Sequence, residues 1–259
     1  MKVMNLSTYF LLFAALATGP LAIAQTCSNN SLRGTYAYAI NGTVNGANNT
    51  TVTNSQVGRI VFNGTGGYTG FLVAAAEGAV GVAEFTGTYA VDSSCVGSGK
   101  SVVNGASTDF DFVVVNGGND FSMVLRGAGA TLSGAGTKSE GLAACTLASM
   151  NAPFGYQSDG LQVINSKTVS TAEVGLFTFD GRGGLSSVGS FVADGTSVVF
   201  DAKGTYEMTP ECFGVAIYNV GDVSYQVNFM LTSGGNQILF TELAGTYIAS
   251  GNATRTFPR

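Results

Sequence analysis

The sequence predicts an all-β protein of two tandem antiparallel units, barrels or sandwiches of about eight strands each. Three observations predict it. Apolar and polar residues alternate with a period of two in run after run, and Asn-Gly or Asp-Gly pairs separate the runs. The chain also repeats itself, cysteines included, at an offset of 117 or 118 positions.

The alternation comes first. Leu32, Gly34, Tyr36, Tyr38 and Ile40 take one phase, while Arg33, Thr35 and Ala37 take the other, as in a strand with one buried face. Gly58, Ile60 and Phe62 follow the same rule, as do Phe85, Gly87, Tyr89 and Val91, and then Phe110, Phe112 and Val114. Asn63-Gly64, Asn116-Gly117 and Asp180-Gly181 suit the positive backbone angles of tight hairpins. No window sustains a helical period.

The repeat joins the runs into units. Cys27-x4-Leu32-x-Gly34-x-Tyr36-x-Tyr38 meets Cys145-x4-Met150-x-Ala152-x-Phe154-x-Tyr156. Val57-Gly58-x3-Phe62-Asn63-Gly64 meets Val174-Gly175-x3-Phe179-Asp180-Gly181. Gly87-Thr88-Tyr89 before Cys95 meets Gly204-Thr205-Tyr206 before Cys212. Gly117-Gly118-Asn119 meets Gly234-Gly235-Asn236, and Ser133-Gly134-x2-Thr137-Lys138 meets Ser250-Gly251-x2-Thr254-Arg255. Five blocks in one order mark a duplication. Four cysteines permit three pairings, and a duplicated unit carries its bridge within itself. That selects Cys27–Cys95 and Cys145–Cys212. Each bridge closes a loop long enough to stabilise its unit by roughly 4 kcal/mol in the chain-entropy model. The expected domains are residues 25–142 and 143–259, with a short junction near Lys138–Ala144 that makes close neighbours of the two units.

Residues 1–24 read as a secretory signal: Lys2, an apolar run Tyr9–Leu16, Gly19-Pro20, and Ala22-Ile23-Ala24 before the expected cleavage. The run is well short of the roughly 20 residues needed to span a bilayer, so no membrane insertion is expected. The mature chain is expected to be secreted or periplasmic, where disulfides persist. The full chain's net charge of −5, without a Lys/Arg cluster, argues against nucleic acid as a partner.

The chemistry narrows by exclusion. The chain has no histidine, which removes Ser-His-Asp triads, Cys-His dyads and His-metal sites together. The cysteines are committed to bridges, and no phosphate-binding glycine loop is present. Asp109 and Asp111 oppose Phe110 and Phe112, and Glu84 and Asp201 oppose the aromatic face, so these carboxylates point to solvent. Asp180-Gly181-Arg182-Gly183-Gly184 superficially suggests a calcium loop, but its counterpart begins with Asn63, and a hairpin turn accounts for both. No catalytic residue, metal or cofactor is expected.

What remains is an aromatic face common to both units. Tyr36/Phe154, Tyr38/Tyr156, Phe62/Phe179, Tyr89/Tyr206 and Phe112/Phe229 either fill a core or line a cavity for a small hydrophobic molecule. Two functions follow from the two fillings. One is a non-enzymatic binding protein with an apolar ligand in each barrel. The other is a structural or adhesive protein of the cell exterior, displaying Thr/Asn-rich loops such as Asn41–Ser55.

The unit Cys-x4-Leu-x-Gly-x-Tyr-x-Tyr, then Gly-Thr-Tyr-x5-Cys, Gly-Gly-Asn and Ser-Gly-x2-Thr-Lys, resembles a secreted domain of environmental bacteria that has no assigned activity and recurs in tandem. In strand pattern it is also distantly similar to calycin-type barrels, the lipocalins and allene oxide cyclase among them. That resemblance implies a closed barrel and no particular residues, since the chain has no tryptophan for the lipocalin Gly-x-Trp signature.

Overall fold

A computed structural model of the chain describes residues 26–46, 50–76, 79–127, 129–139 and 144–257. The expected signal segment 1–24, its cleavage point and residues 140–143 of the junction lie outside the described residues.

The first eight strands are β1 (Arg33–Asn45), β2 (Thr51–Asn63), β3 (Gly67–Ala76), β4 (Ala79–Val91), β5 (Val96–Val103), β6 (Ala106–Val115), β7 (Asp120–Gly127) and β8 (Ala130–Lys138). The second eight are β9 (Ala152–Ile164), β10 (Lys167–Phe179), β11 (Gly184–Ala193), β12 (Thr196–Met208), β13 (Phe213–Val220), β14 (Val223–Thr232), β15 (Gln237–Ala244) and β16 (Tyr247–Arg255). Each set is a closed up-and-down barrel: neighbours in sequence pair antiparallel, β8 returns to β1, and β16 returns to β9. Closure leaves no unpaired sheet edge. The duplication extends to strand length, which runs 13, 13, 10, 13, 8, 10, 8 and 9 residues in both barrels.

The turns form where the sequence places them. Asn63 Oδ1 accepts the amides of Thr65 and Gly67 at 2.8 and 2.9 Å, and Gly64 supplies the positive φ. Asp180 repeats the device, its Oδ1 accepting the amides of Arg182 and Gly184 at 2.7 and 2.8 Å. Those bonds hold the Asp180 carboxyl below its ordinary pKa. The Asp-Gly segment is a hairpin turn.

The end at which the chain enters each barrel is closed in the same way twice. Cys27–Cys95 and Cys145–Cys212 tie the segment before the first strand to the turn after the fourth. The short 3-10 turns Asn29–Ser31 and Leu147–Met150 bring Leu32 and Met150 into the cores. The Tyr89 hydroxyl lies 2.8–2.9 Å from the carbonyls of Asn29 and Leu32, which share its one hydrogen, and Tyr206 donates to the carbonyl of Leu147 at 2.9 Å.

One lock differs. In barrel 1 the Tyr36 hydroxyl donates to the carbonyl of Gly118. Phe154, its counterpart, has no hydroxyl, and Arg255 serves instead. Its Nε donates to the Gly235 carbonyl at 3.0 Å, while its guanidinium lies 5.0 Å from the centre of the Phe154 ring.

The barrels pack side by side. Ala37, Ala39, Val57 and Val73, on the outer faces of β1, β2 and β3, meet Met230 and Leu239 on the outside of barrel 2. Phe71 meets Phe213 edge-on at 5.9 Å, and Ala75 joins Leu161, Leu243 and Ile248. This contact corrects one expectation. The described parts of the Asn41–Ser55 segment are not a displayed loop but belong to strands β1 and β2, with Asn41 directly paired to Ser55. Its outward Thr53 and Ser55 are buried, because polar residues that would face solvent on a lone barrel here face the neighbouring one.

Candidate functional site

All ten rings of the common aromatic face point inward and are buried. In barrel 1, Phe62 is the hub, with Tyr36 at 5.4 Å and Tyr89 at 5.0 Å, both edge-on. Phe112 continues the layer beyond Tyr89, and Tyr38 meets Phe85. In barrel 2, Phe179 is the hub for Phe154, Tyr206 and Phe229 at 5.0–5.9 Å. Tyr156 stacks on Phe177 at 4.0 Å. Inward glycines give the rings room. A Cβ on Gly97 would stand 2.2 Å from the Phe112 ring, and one on Gly214 would stand 2.2 Å from the Phe229 ring. The space between Phe177, Phe179, Phe229 and Phe240 amounts to about 10 Å³. A drug-sized ligand occupies a cavity of several hundred cubic ångströms, on the order of 300 or more. At the entry ends the rings are core.

A different layer lies above them in barrel 2, toward the far end. Inward positions on β10 and β15 carry Glu173 and Glu242, with 5% and 0% of their surface exposed. Tyr156 donates its hydroxyl to Glu173 Oε1, and Tyr218 donates to Glu242 Oε1. Tyr247, on β16, stands 3.3 Å from Oε2 of both carboxyl groups. Ser187 lies 3.4 Å from the Tyr156 hydroxyl. Thr171, two positions from Glu173 on the same inward row, is 5% exposed, and its Oγ1 has no hydrogen-bond partner. Burial drives the Glu173 carboxyl above its ordinary pKa, against the hydrogen bonds from Tyr156 and Tyr247. Burial, then the nearby Glu173 charge, drives Glu242 well above its own. The same two causes push Tyr247 upward: its burial, then the carboxylates beside it.

The sequence reading missed this pair. Glu173 stands in Glu173-x-Gly175-x-Phe177-x-Phe179 and Glu242 in Ile238-x-Phe240-x-Glu242-x-Ala244, each in phase with buried rings. Strand phase was the available signal. The carboxylates expected to face solvent lie on the outer faces: Glu84, Asp109 and Asp201 are exposed, and Asp111 is half-exposed and pairs with Arg126 at 2.8 Å.

Between the barrels, on the entry side, is an open cleft of about 630 Å³. Asn116, Asn119, Thr137 and Lys138 line it from barrel 1, and Gln237 and Asn252 line it from barrel 2. Its walls combine amide and hydroxyl groups with one charge of each sign, from Asp120 and Lys138, and with the apolar surface of Ala135 and Leu239.

No family model matches the chain, and no curated protein matches it. Among solved structures, the chain is similar to the isotype 1 transferrin binding protein B from serogroup B Neisseria meningitidis. That match has 7% identity and a TM-score of 0.36, over 87% of this chain and 77% of the other. It is also similar to a protein from Nitrosomonas europaea provisionally assigned as AttH. There the identity is 8% and the TM-score 0.28, over 95% of this chain and 100% of the other.

Proposed function

We propose that the chain is an extracytoplasmic, non-enzymatic binding protein that holds a polar ligand between its barrels and not inside them. The carrying observation is the contrast in space: about 630 Å³ in the cleft against about 10 Å³ among the rings of barrel 2. The two disulfides fit an oxidising compartment, as does the signal-like segment 1–24. The non-enzymatic part rests on the absence of histidine and on the enclosure of Glu173 and Glu242, where no substrate in solvent reaches them. Amide side chains bind hydroxyl and carbonyl groups through paired hydrogen bonds, so the cleft suits a ligand rich in both. An apolar ligand enclosed by the ten rings would have to part them, at the cost of their contacts.

The test is backbone and side-chain NMR of the labelled protein titrated with pools of sugars, polyols, short peptides and fatty acids. The expected result is a set of shifts confined to Asn116, Asn119, Thr137, Gln237 and Asn252, caused by a polar pool. Shifts of Phe62 or Phe179 caused by the fatty-acid pool would move the ligand into the barrels. Silence from every pool would leave the structural or adhesive reading, which filled barrels also suit.

A further inference from the structure

The polar layer of barrel 2 has more acceptors than hydrogens to satisfy them. Four carboxyl oxygens, two each from Glu173 and Glu242, face three tyrosine hydroxyls. Tyr156 and Tyr218 each satisfy one oxygen. Tyr247 owns a single hydrogen yet stands 3.3 Å from an oxygen of each carboxyl. It can donate to one carboxylate only. The other contact becomes a hydrogen bond only if that carboxyl carries its own proton and donates to the Tyr247 oxygen. The geometry of the layer is complete when the pair holds one proton and incomplete when it holds none.

Among the described residues, no cation stands in for that proton. The inward residues of β9, β11, β12, β13 and β14 near the pair are Tyr156, Ser158, Ser187, Phe200, Tyr218 and Tyr225, none of them basic. Arg255 on β16 faces inward at the entry end, where it is bonded to the carbonyls of Gly235, Asn151 and Ser149. Lys167, on the β10 row, is exposed at the far rim. Two bare carboxylates in such an interior would repel each other without compensation. The spare groups beside them are two buried hydroxyls, that of Thr171 on β10 and that of Ser158, which is paired across from Glu173 on β9.

We propose that Glu173 and Glu242 form a proton-binding site that latches barrel 2, so that loss of the proton at alkaline pH loosens the far half of that barrel while barrel 1 stays closed. The cluster is placed to act as a latch. It ties β10 to β15 across the interior, through tyrosines on β9, β13 and β16. The direction of the pH effect follows from linkage. Both carboxyls bind a proton more tightly in the folded barrel than at the ordinary glutamate value of 4.5. Their stabilising contribution is therefore full below about pH 4.5 and is lost as the pH rises toward the folded-state values. Barrel 1 has no counterpart, since Gln56 and Leu125 occupy the equivalent places, 117 residues earlier.

The experiment is a set of thermal melts of the full disulfide-bonded protein from pH 4 to 9, with Glu173→Gln/Glu242→Gln alongside. The melting temperature of the wild type is expected to fall by roughly 5–10 °C across the upper part of that range, and that of the variant to stay level. Infrared spectra of the wild type at neutral pH are expected to contain the carbonyl stretch of a buried carboxylic acid, a measurement that stands even if the variant fails to fold. Three results would each overturn the proposal: no carboxylic-acid band in the wild type, a pH dependence that survives in the variant, or calcium chloride restoring the wild-type melting temperature at pH 9. The last would make the pair a cation site.

Discussion

Where barrel 2 carries Glu173, barrel 1 carries Gln56, and where barrel 2 carries Glu242, Tyr218 and Tyr247, barrel 1 carries Leu125, Ser101 and Ala130. The entry halves differ far less. Phe62 and Phe179, Tyr89 and Tyr206, Phe112 and Phe229 occupy equivalent places in equivalent ring clusters. Each pair of disulfides, 3-10 turns and tyrosine–carbonyl bonds recurs. The comparison teaches which half of the unit is frame. A closed, bridged and ring-packed end fixes the barrel, and the far half is then free to change its filling from apolar and amide groups to carboxyl and hydroxyl groups without loss of the fold.

The largest test of that division is truncation of the shared rings. Phe112→Ala and Phe229→Ala should each cost about 3–5 kcal/mol, the range for a large ring removed from a filled core, as measured by urea denaturation. Costs that differed by more than half between the barrels would break the equivalence of the two frames. Next come the glycines that receive those rings. Gly97→Ala and Gly214→Ala would each place a methyl 2.2 Å from a phenyl carbon, and overpacking of this kind costs about 1–3 kcal/mol. Differential scanning calorimetry should place the two variants at similar losses.

The smallest effect concerns the exchanged lock. Tyr36→Phe removes the hydrogen bond to the Gly118 carbonyl and should cost about 1–2 kcal/mol. Adding Lys138→Arg imports the arrangement in which Arg255 holds Gly235, and part of the loss should return. A double-mutant cycle by chemical denaturation measures the coupling. Zero coupling would mean that the arginine and the tyrosine are not alternatives.

Much of this was legible in the residues. The Cys27–Cys95 and Cys145–Cys212 pairing followed from duplication alone, and the inward phase of Tyr36, Phe62 and Phe112 followed from period-two alternation. The glutamate pair was hidden for a physical reason. Glu173 and Glu242 are 69 positions apart in sequence, on β10 and β15, and only closure of the barrel brings them together. Taken one at a time, each is a carboxylate in a strand, and most such groups face water. The Asn41–Ser55 segment misled differently. Its Thr53 and Ser55 side chains look solvent-exposed until the second barrel is placed against β1 and β2.

Peptide-resolved hydrogen exchange at pH 5 and pH 9, corrected for the intrinsic rates, compares the two barrels within one molecule. The account predicts that amides of β10, β15 and β16 lose protection by roughly tenfold or more at the higher pH, while those of β2, β7 and β8 keep theirs. Equal behaviour of the two sets, whether both protected or both exposed at pH 9, would contradict it.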